Sequence, residues 1–204
     1  LGDSDFYDVP FSQFLSKDKA KELLSNVNFD NSTRKEDFQP EKFKFKENTT
    51  HFSVIDKYGN AVSNTTTLNT AFGSGVVIEG TGILMNNEMD DFSSSPGIEN
   101  YFLLLGNEAN KIEPLKRPLS SMTPTIVLRE GKPFIITGAQ GGSRIITAVL
   151  HIILNYYEFK MSAKDAVYAN RYHHQWNPDV LMYEFMTNEL QNNLEKLGFK
   201  LYLR

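Results

Sequence analysis

Three short stretches of this sequence combine residue types that can hold or polarise a small charged molecule. Gly138-Ala139-Gln140-Gly141-Gly142-Ser143 falls between an apolar β-like run and a long apolar helix-like run. Backbone N–H groups of such a loop can gather at a helix N-terminus, where partial positive charge holds an anion; a plain strand-to-helix turn would look the same. Asn86-Asn87-Glu88-Met89-Asp90-Asp91-Phe92 brings carboxylates and amides together densely enough to bind an ammonium group, and is equally consistent with a solvated acidic turn. Lys116-Arg117-Pro118-Leu119-Ser120-Ser121-Met122-Thr123-Pro124-Thr125 places paired hydroxyls between prolines, a rigid arrangement suited to donating hydrogen bonds to a carboxylate. His173-His174 could ligate a metal by type, but adjacent residues project differently and no further His is close in sequence. A structural or surface role is expected for them, and no metal.

Other chemistries have no local support. There is no HExxH, GxSxG, GxGxxG or phosphate-loop Gly-Lys-Ser/Thr, which argues against zinc protease, serine hydrolase, dinucleotide and nucleotide-loop sites. The 21 Lys+Arg against 25 Asp+Glu leave a net charge of −4, so composition gives no reason to expect a nucleic acid or anionic membrane as partner. Zero cysteines exclude thiol nucleophiles, thiolate metal sites and disulfides without choosing a redox compartment. With 40% hydrophobic and 23% charged residues, the 204-residue chain reads as an ordinary globular body of one domain or slightly more. Its longest apolar stretch, Ile145 to Leu154, is interrupted by Thr147 and His151 and falls short of the roughly 20 residues that span a bilayer. LGDSDFYDVPF carries no basic and apolar leader, so the chain is expected to begin inside a longer protein.

The elements that must position these stretches follow from periodicity. A helix is expected over Ser16–Val27, then an exposed charged linker over Ser32–Asn48. A β-hairpin should start at Thr49, alternate through His51–Asp56, turn at Lys57-Tyr58-Gly59-Asn60 and return over Ala61–Leu68. A second hairpin, Thr125–Leu128 and Phe134–Thr137 around Glu130-Gly131-Lys132, has arms apolar enough to be buried on both faces. Cover would come from helices over Ser143–Tyr157, Ser162–Ala169 and Thr187–Leu197, with Ser162 and Thr187 as N-caps and Gly198 as a stop. With a last strand at Lys200–Leu203, this is an α+β layered body and not a βαβ alternation.

Taken in order, NTTHFSV, TTTLNTAFGSG, NNEMDDFSS, KRPLSSMTPTIVL, GGSRIIT and RYHHQW resemble the γ-glutamyltranspeptidase family of N-terminal-nucleophile hydrolases across residues 49 to about 204. LGDSDFYDVP resembles the end of that family's large subunit. The resemblance implies a four-layer αββα sandwich completed by large-subunit segments outside this chain. It further implies residues 1–48 as the end of the large subunit with an exposed linker, and 49–204 as a C-terminally incomplete small-subunit catalytic domain. It makes Asn48–Thr49 the bond that the precursor cuts in itself. Thr49 would become the nucleophile, its freed α-amino group serving as base because that amine titrates near neutral pH.

The same resemblance makes Thr67 the hydroxyl that hydrogen-bonds Thr49, and Gly141 and Gly142 the oxyanion-hole donors. Asn69, Glu88 and Asp91 would hold the donor's α-amino group. Ser120 and Ser121 would hold its α-carboxylate together with an arginine of the missing large-subunit portion. Expected partners are glutathione or other γ-glutamyl compounds as donors and amino acids, dipeptides or water as acceptors, with no cofactor. Ala139-Gln140 stands where bacterial relatives often carry Ser-Pro, and Glu88 where many carry Gln. The stretch between Phe92 and Asn110 resembles the lid, here with an apolar Tyr101–Leu105 run. Rival readings are a cephalosporin acylase, a poly-γ-glutamate transpeptidase, or an unprocessed non-catalytic fragment; Ser120, Ser121, Glu88 and Asp91 favour a donor with a free α-amino acid end. Family practice implies a periplasmic, secreted or cell-surface location, and Asn31, Asn48 and Asn64 sit in N-x-Ser/Thr tripeptides.

Overall fold

A computed structural model describes residues 1–32, 47–95 and 97–204, with Glu47 and Asn48 described by their backbone. Most of the linker expected over Ser32–Asn48 lies outside the described residues. Before it come α1 (Phe11–Phe14) and α2 (Lys17–Ser25). Helix α2 starts where the Ser16 hydroxyl accepts the Lys19 N–H, satisfying one donor that a helix start leaves open. It stops two residues short of the expected end. Neither helix buries a residue, whereas Asp3 and Val9, further upstream, are buried.

Strands β1 (Glu47–Ile55) and β2 (Ala61–Thr70) form an antiparallel hairpin pairing Thr49 with Thr67, His51 with Thr65 and Ser53 with Ser63. The strand begins two residues before Thr49 and not at it, with a register shift between Glu47 and Thr49. Because side chains alternate along a strand, residues 49, 51 and 53 share one face. That face is polar: His51 Nδ1 lies 2.8 Å from Thr65 Oγ1 and its Nε2 3.0 Å from Ser53 Oγ. Across the turn, the Asp56 carboxylate accepts from the Tyr58 and Asn60 amides, and Gly59 takes a positive φ of 86°.

The second hairpin, β5 (Thr125–Arg129) and β6 (Lys132–Thr137), lies against the first. Ser53 and Ser63 donate from the polar face to the Ile136 and Thr137 carbonyls at 3.3 and 2.9 Å. Burial of its arms on both faces is not realised: Ile126 and Leu128 are 39% and 59% exposed, because the described residues supply no layer over that side. Between the hairpins lies a small exposed pair, β3 (Val77–Ile78) and β4 (Ile83–Leu84).

After β6 the chain passes through the glycine turn and a 3-10 turn at Gly142–Arg144 into α3 (Ile145–Tyr157). Ile145, Ala148 and Val149 recur at helical spacing and are buried, while Ile146 and Leu150 on the other side are half exposed. Helix α4 (Ala163–Tyr168) packs on α3, capped by Ser162, which accepts the Asp165 N–H. A three-stranded sheet follows, with β7 (Tyr172–His173) antiparallel to β8 (Leu181–Tyr183) and β9 (Leu201–Leu203) parallel to β8. Helix α5 (Asn188–Lys196), capped by Thr187, makes the crossover. The body is α+β as expected and not a βαβ alternation, with a single parallel return inside it: a parallel strand needs a helix-length connection, and β8–α5–β9 provides one. A core cluster joins Val180 and Met182 to Leu103 and Tyr202.

Candidate active site

Thr49 is 5% exposed, and its hydroxyl donates to Thr67 Oγ1 at 3.3 Å, a contact set by their direct pairing across the hairpin. Thr67 Oγ1 also accepts the Asn69 N–H at 2.9 Å, so that hydroxyl is fixed from two sides. Asn69 is buried in the left-handed region at φ 74°, a conformation Asn tolerates better than most residues, and it turns the chain at the end of β2. Its Nδ2 donates to the Asn87 carbonyl at 3.3 Å. Asn87 in return accepts the Thr70 N–H on Oδ1, pinning the acidic turn to the strand that carries Thr67.

That turn is a 3-10 turn over Glu88–Asp91. Burial, reinforced by the charges of Glu88 and Asp90, pushes the Asp91 carboxyl up to about 6, and burial raises Glu88 as well. Carboxylates crowded and part-buried in this way are a ready partner for a cation. Asp90 faces elsewhere, accepting the Tyr101 N–H at 2.9 Å and so tying the acidic turn to the segment around Tyr101. The basic residues beside Ser120 and Ser121 are engaged away from them: Lys116 Nζ meets Glu113 at 2.9 Å, and Arg117 holds the buried Asp3 carboxylate through its backbone N–H, Nε and Nη2 at 2.9, 2.9 and 2.6 Å. Arg117 keeps the Asp3 carboxyl well below the usual carboxylate range.

Gly141 and Gly142 both take positive φ, 136° and 57°. A Cβ on Gly142 would fall 2.4 Å from the Phe102 ring, so the position requires glycine for conformation and for space. Gly138 is similarly confined: a Cβ there would meet His51 Nδ1 at 2.1 Å. Thr49, Thr67, Asn69, Asp91, Phe102, Ser120, Ser121 and Gly142 line one cleft, with Met122 and Ile145. Of the residues expected from sequence, Glu88 and Gly141 are not among those lining the cleft; Glu88 shares the acidic 3-10 turn with Asp91, and Gly141 precedes Gly142 in the chain. The backbone is continuous through Asn48 and Thr49 within β1, so in this form the Thr49 nitrogen is an amide.

Several contributors escaped sequence reading. Asn87, Asn110, His51 and the Asp3–Arg117 pair shape the site by contacts between distant stretches, and all of them except Asn110 stood inside the quoted motifs without a role assigned to them. The two adjacent histidines have protein partners: His173 lies 2.9 Å from both Thr147 and Gln175, and His174 2.9 Å from Asp179. Among the described residues no group of three or more His, Cys, Asp or Glu is placed to hold a metal.

Comparison with known proteins converges on one family. The family model for Gamma-glutamyltranspeptidase matches residues 1–203. The glutathione hydrolase proenzyme of Escherichia coli (strain K12) is 47% identical over 186 residues, covering 90% of this chain and 32% of that protein. A putative inactive glutathione hydrolase 4 of Arabidopsis thaliana is 42% identical over 193 residues, covering 90% of this chain and 98% of that one. The structure of the Helicobacter pylori γ-glutamyltranspeptidase T380A mutant is 50% identical with a TM-score of 0.74, covering 76% of this chain and 84% of that chain. The α+β fold is therefore that of these N-terminal-nucleophile hydrolases, and the chain spans about a third of the length of the first curated relatives it matches. With the motifs, the fold and a match running almost end to end, the chain belongs to the γ-glutamyltranspeptidase family.

Proposed function

We propose that this chain is the catalytic part of a γ-glutamyltransferase/hydrolase that cleaves glutathione-like γ-glutamyl amides after the Asn48–Thr49 bond has opened. The observation that carries the proposal is the cleft joining the Thr49–Thr67 hydroxyl pair to the Asp91 carboxyl, the paired serines and Gly142 of the glycine turn. Opening the bond converts an amide nitrogen into an amine able to take the Thr49 hydroxyl proton as its oxygen attacks the γ-carbonyl. The Gly141 and Gly142 N–H groups stabilise the resulting oxyanion, and collapse expels the amine and leaves a γ-glutamyl ester on Thr49. An amino acid, a dipeptide or water then attacks the ester and regenerates the hydroxyl. Asn69, Glu88 and Asp91 receive the donor ammonium, whose charge favours the ionised carboxylates that burial disfavours. Ser120 and Ser121 receive the carboxylate, together with the large-subunit arginine that the family resemblance implies; Lys116 and Arg117 are engaged with Glu113 and Asp3.

In this reading residues 1–48 end a large subunit and residues 49–204 form most of the small one. Family practice places such enzymes in the periplasm, outside the cell or at its surface; among the described residues no helix is long and apolar enough to cross a membrane. The test is the intact mass of the full-length protein under denaturing conditions, followed by release of aniline from a γ-glutamyl anilide and a glutaryl anilide. Cutting before Thr49 with preference for the γ-glutamyl compound is expected. Preference for the glutaryl compound would move the assignment to an acylase. An uncut, silent protein would establish the second reading, a non-catalytic relative, which the Arabidopsis protein named as putatively inactive favours.

A further inference from the structure

We propose that Asn110 is a positioning residue that makes recognition of the two ends of the donor's α-amino acid group a single cooperative event. It ends a 3-10 turn over Glu108–Asn110 and is 5% exposed. Its Nδ2 donates to the Asp91 carbonyl at 2.8 Å, and its Oδ1 accepts the Leu119 N–H, one residue before Ser120, at 3.0 Å. Its own carbonyl accepts the Ser93 N–H at 2.9 Å. One buried amide thus spans the turn that faces the ammonium and the loop that faces the carboxylate, using its donor and acceptor sides at once. Both stretches lie in one cleft with Thr49. A displacement of either loop must stretch a buried hydrogen bond to the other, so a group that seats one loop also orders its neighbour. Asp at this position lacks the N–H that reaches Asp91, and Ala lacks both halves of the bridge.

This inference rests on the proposed γ-glutamyl activity and deepens it. The experiment measures kcat/KM of the processed full-length enzyme on four anilides: γ-glutamyl, glutaryl (no amino group), 4-aminobutyryl (no carboxylate) and butyryl (neither). The product of the γ-glutamyl and butyryl values, divided by the product of the other two, gives the coupling between the two groups. Coupling of roughly tenfold, the order of one buried hydrogen bond, is expected in the parent enzyme. Asn110→Ala should bring it to about one. Asn110→Asp should also collapse it, with the larger loss in the amino-group contribution. Enzyme concentration cancels in the ratio, so a variant that folds poorly still reports it, and a role confined to stability would lower yield and melting temperature while leaving the coupling intact. A parent coupling near one, or coupling unchanged in Asn110→Ala, overturns the proposal. A parent enzyme that releases no aniline from the γ-glutamyl anilide overturns the activity itself, a distinct result.

Discussion

Replacing Asp91 by Asn should make the protein more stable at neutral pH while weakening its grip on a γ-glutamyl donor. The Asp91 carboxyl is raised from 3.8 to about 6 by burial and by the Glu88 and Asp90 charges. A group held at a raised value binds its proton more tightly folded than unfolded. Its ionisation therefore costs nothing below about pH 3.8, costs progressively more through the interval up to about 6, and costs the full amount above it. That full amount is at most about 3 kcal/mol, and because the carboxyl is partly exposed, solvent and salt reduce it to about 1–2 kcal/mol. The measurement is urea unfolding of Asp91→Asn against Asp91, in a Thr49→Ala background so that no cutting mixes species. A gain of about 1–2 kcal/mol is expected at pH 7.5, shrinking to about 0.3 kcal/mol at pH 4. In the active background, kcat/KM for a γ-glutamyl anilide should fall roughly 10–100-fold, the cost of losing a charged partner. A variant less stable at pH 7.5, or a gain that does not change with pH, would refute the account of this site.

Two further outcomes follow from the same geometry. Gly142→Ala puts a Cβ against the Phe102 ring in a left-handed backbone, so about 1–3 kcal/mol of strain should enter the glycine turn and kcat should drop by roughly 10²-fold or more, read from steady-state kinetics and thermal melting. Asp3→Asn removes the charge that Arg117 grips; because the Asp3 carboxyl is held well below the usual carboxylate range, the contact contributes fully above about pH 4 and is only partly weakened at pH 3, where the folded carboxyl is still ionised, so the variant should expose the first residues to limited proteolysis at pH 7 and, by a smaller margin over the parent, at pH 3.

Local chemistry made much of this structure legible. The caps at Ser162 and Thr187 are short-range hydrogen bonds, and the hairpin that carries Thr49 was visible from its turn and its period of two, while Thr67 as the partner of Thr49 came from the family resemblance. The carboxylates of the acidic turn could be seen as a cluster, and the turn indeed crowds them. What stayed hidden depends on partners far along the chain. Arg117 bonds Asp3 across 114 positions, and Asn110 serves two loops whose proximity no periodicity encodes. Gly138 could be read as loop chemistry, but its reason, the His51 ring above it, needed three dimensions. Ile126 and Leu128 misled because side-chain type tells how apolar a strand is, while exposure depends on which layers arrive to cover it. The crossover β8–α5–β9 was missed because β8 has only three residues and carries little pattern of its own.

The Arg117 grip on Asp3 and Asp5 acquires a different meaning once a chain is divided at residue 48. In one polypeptide the two sides meet at the effective concentration a tether imposes, in the millimolar range, and a weak bond suffices. After division the tether is gone, and the same bonds must resist dilution. The fork of N–H groups on a carboxylate, with Lys116 set over the Phe6 ring, then works as a splint applied before the fracture. On the proposed division, these bonds and the one from the Ser32 N–H to the Leu197 carbonyl are among the described contacts that would hold residues 1–32 to the rest against dilution.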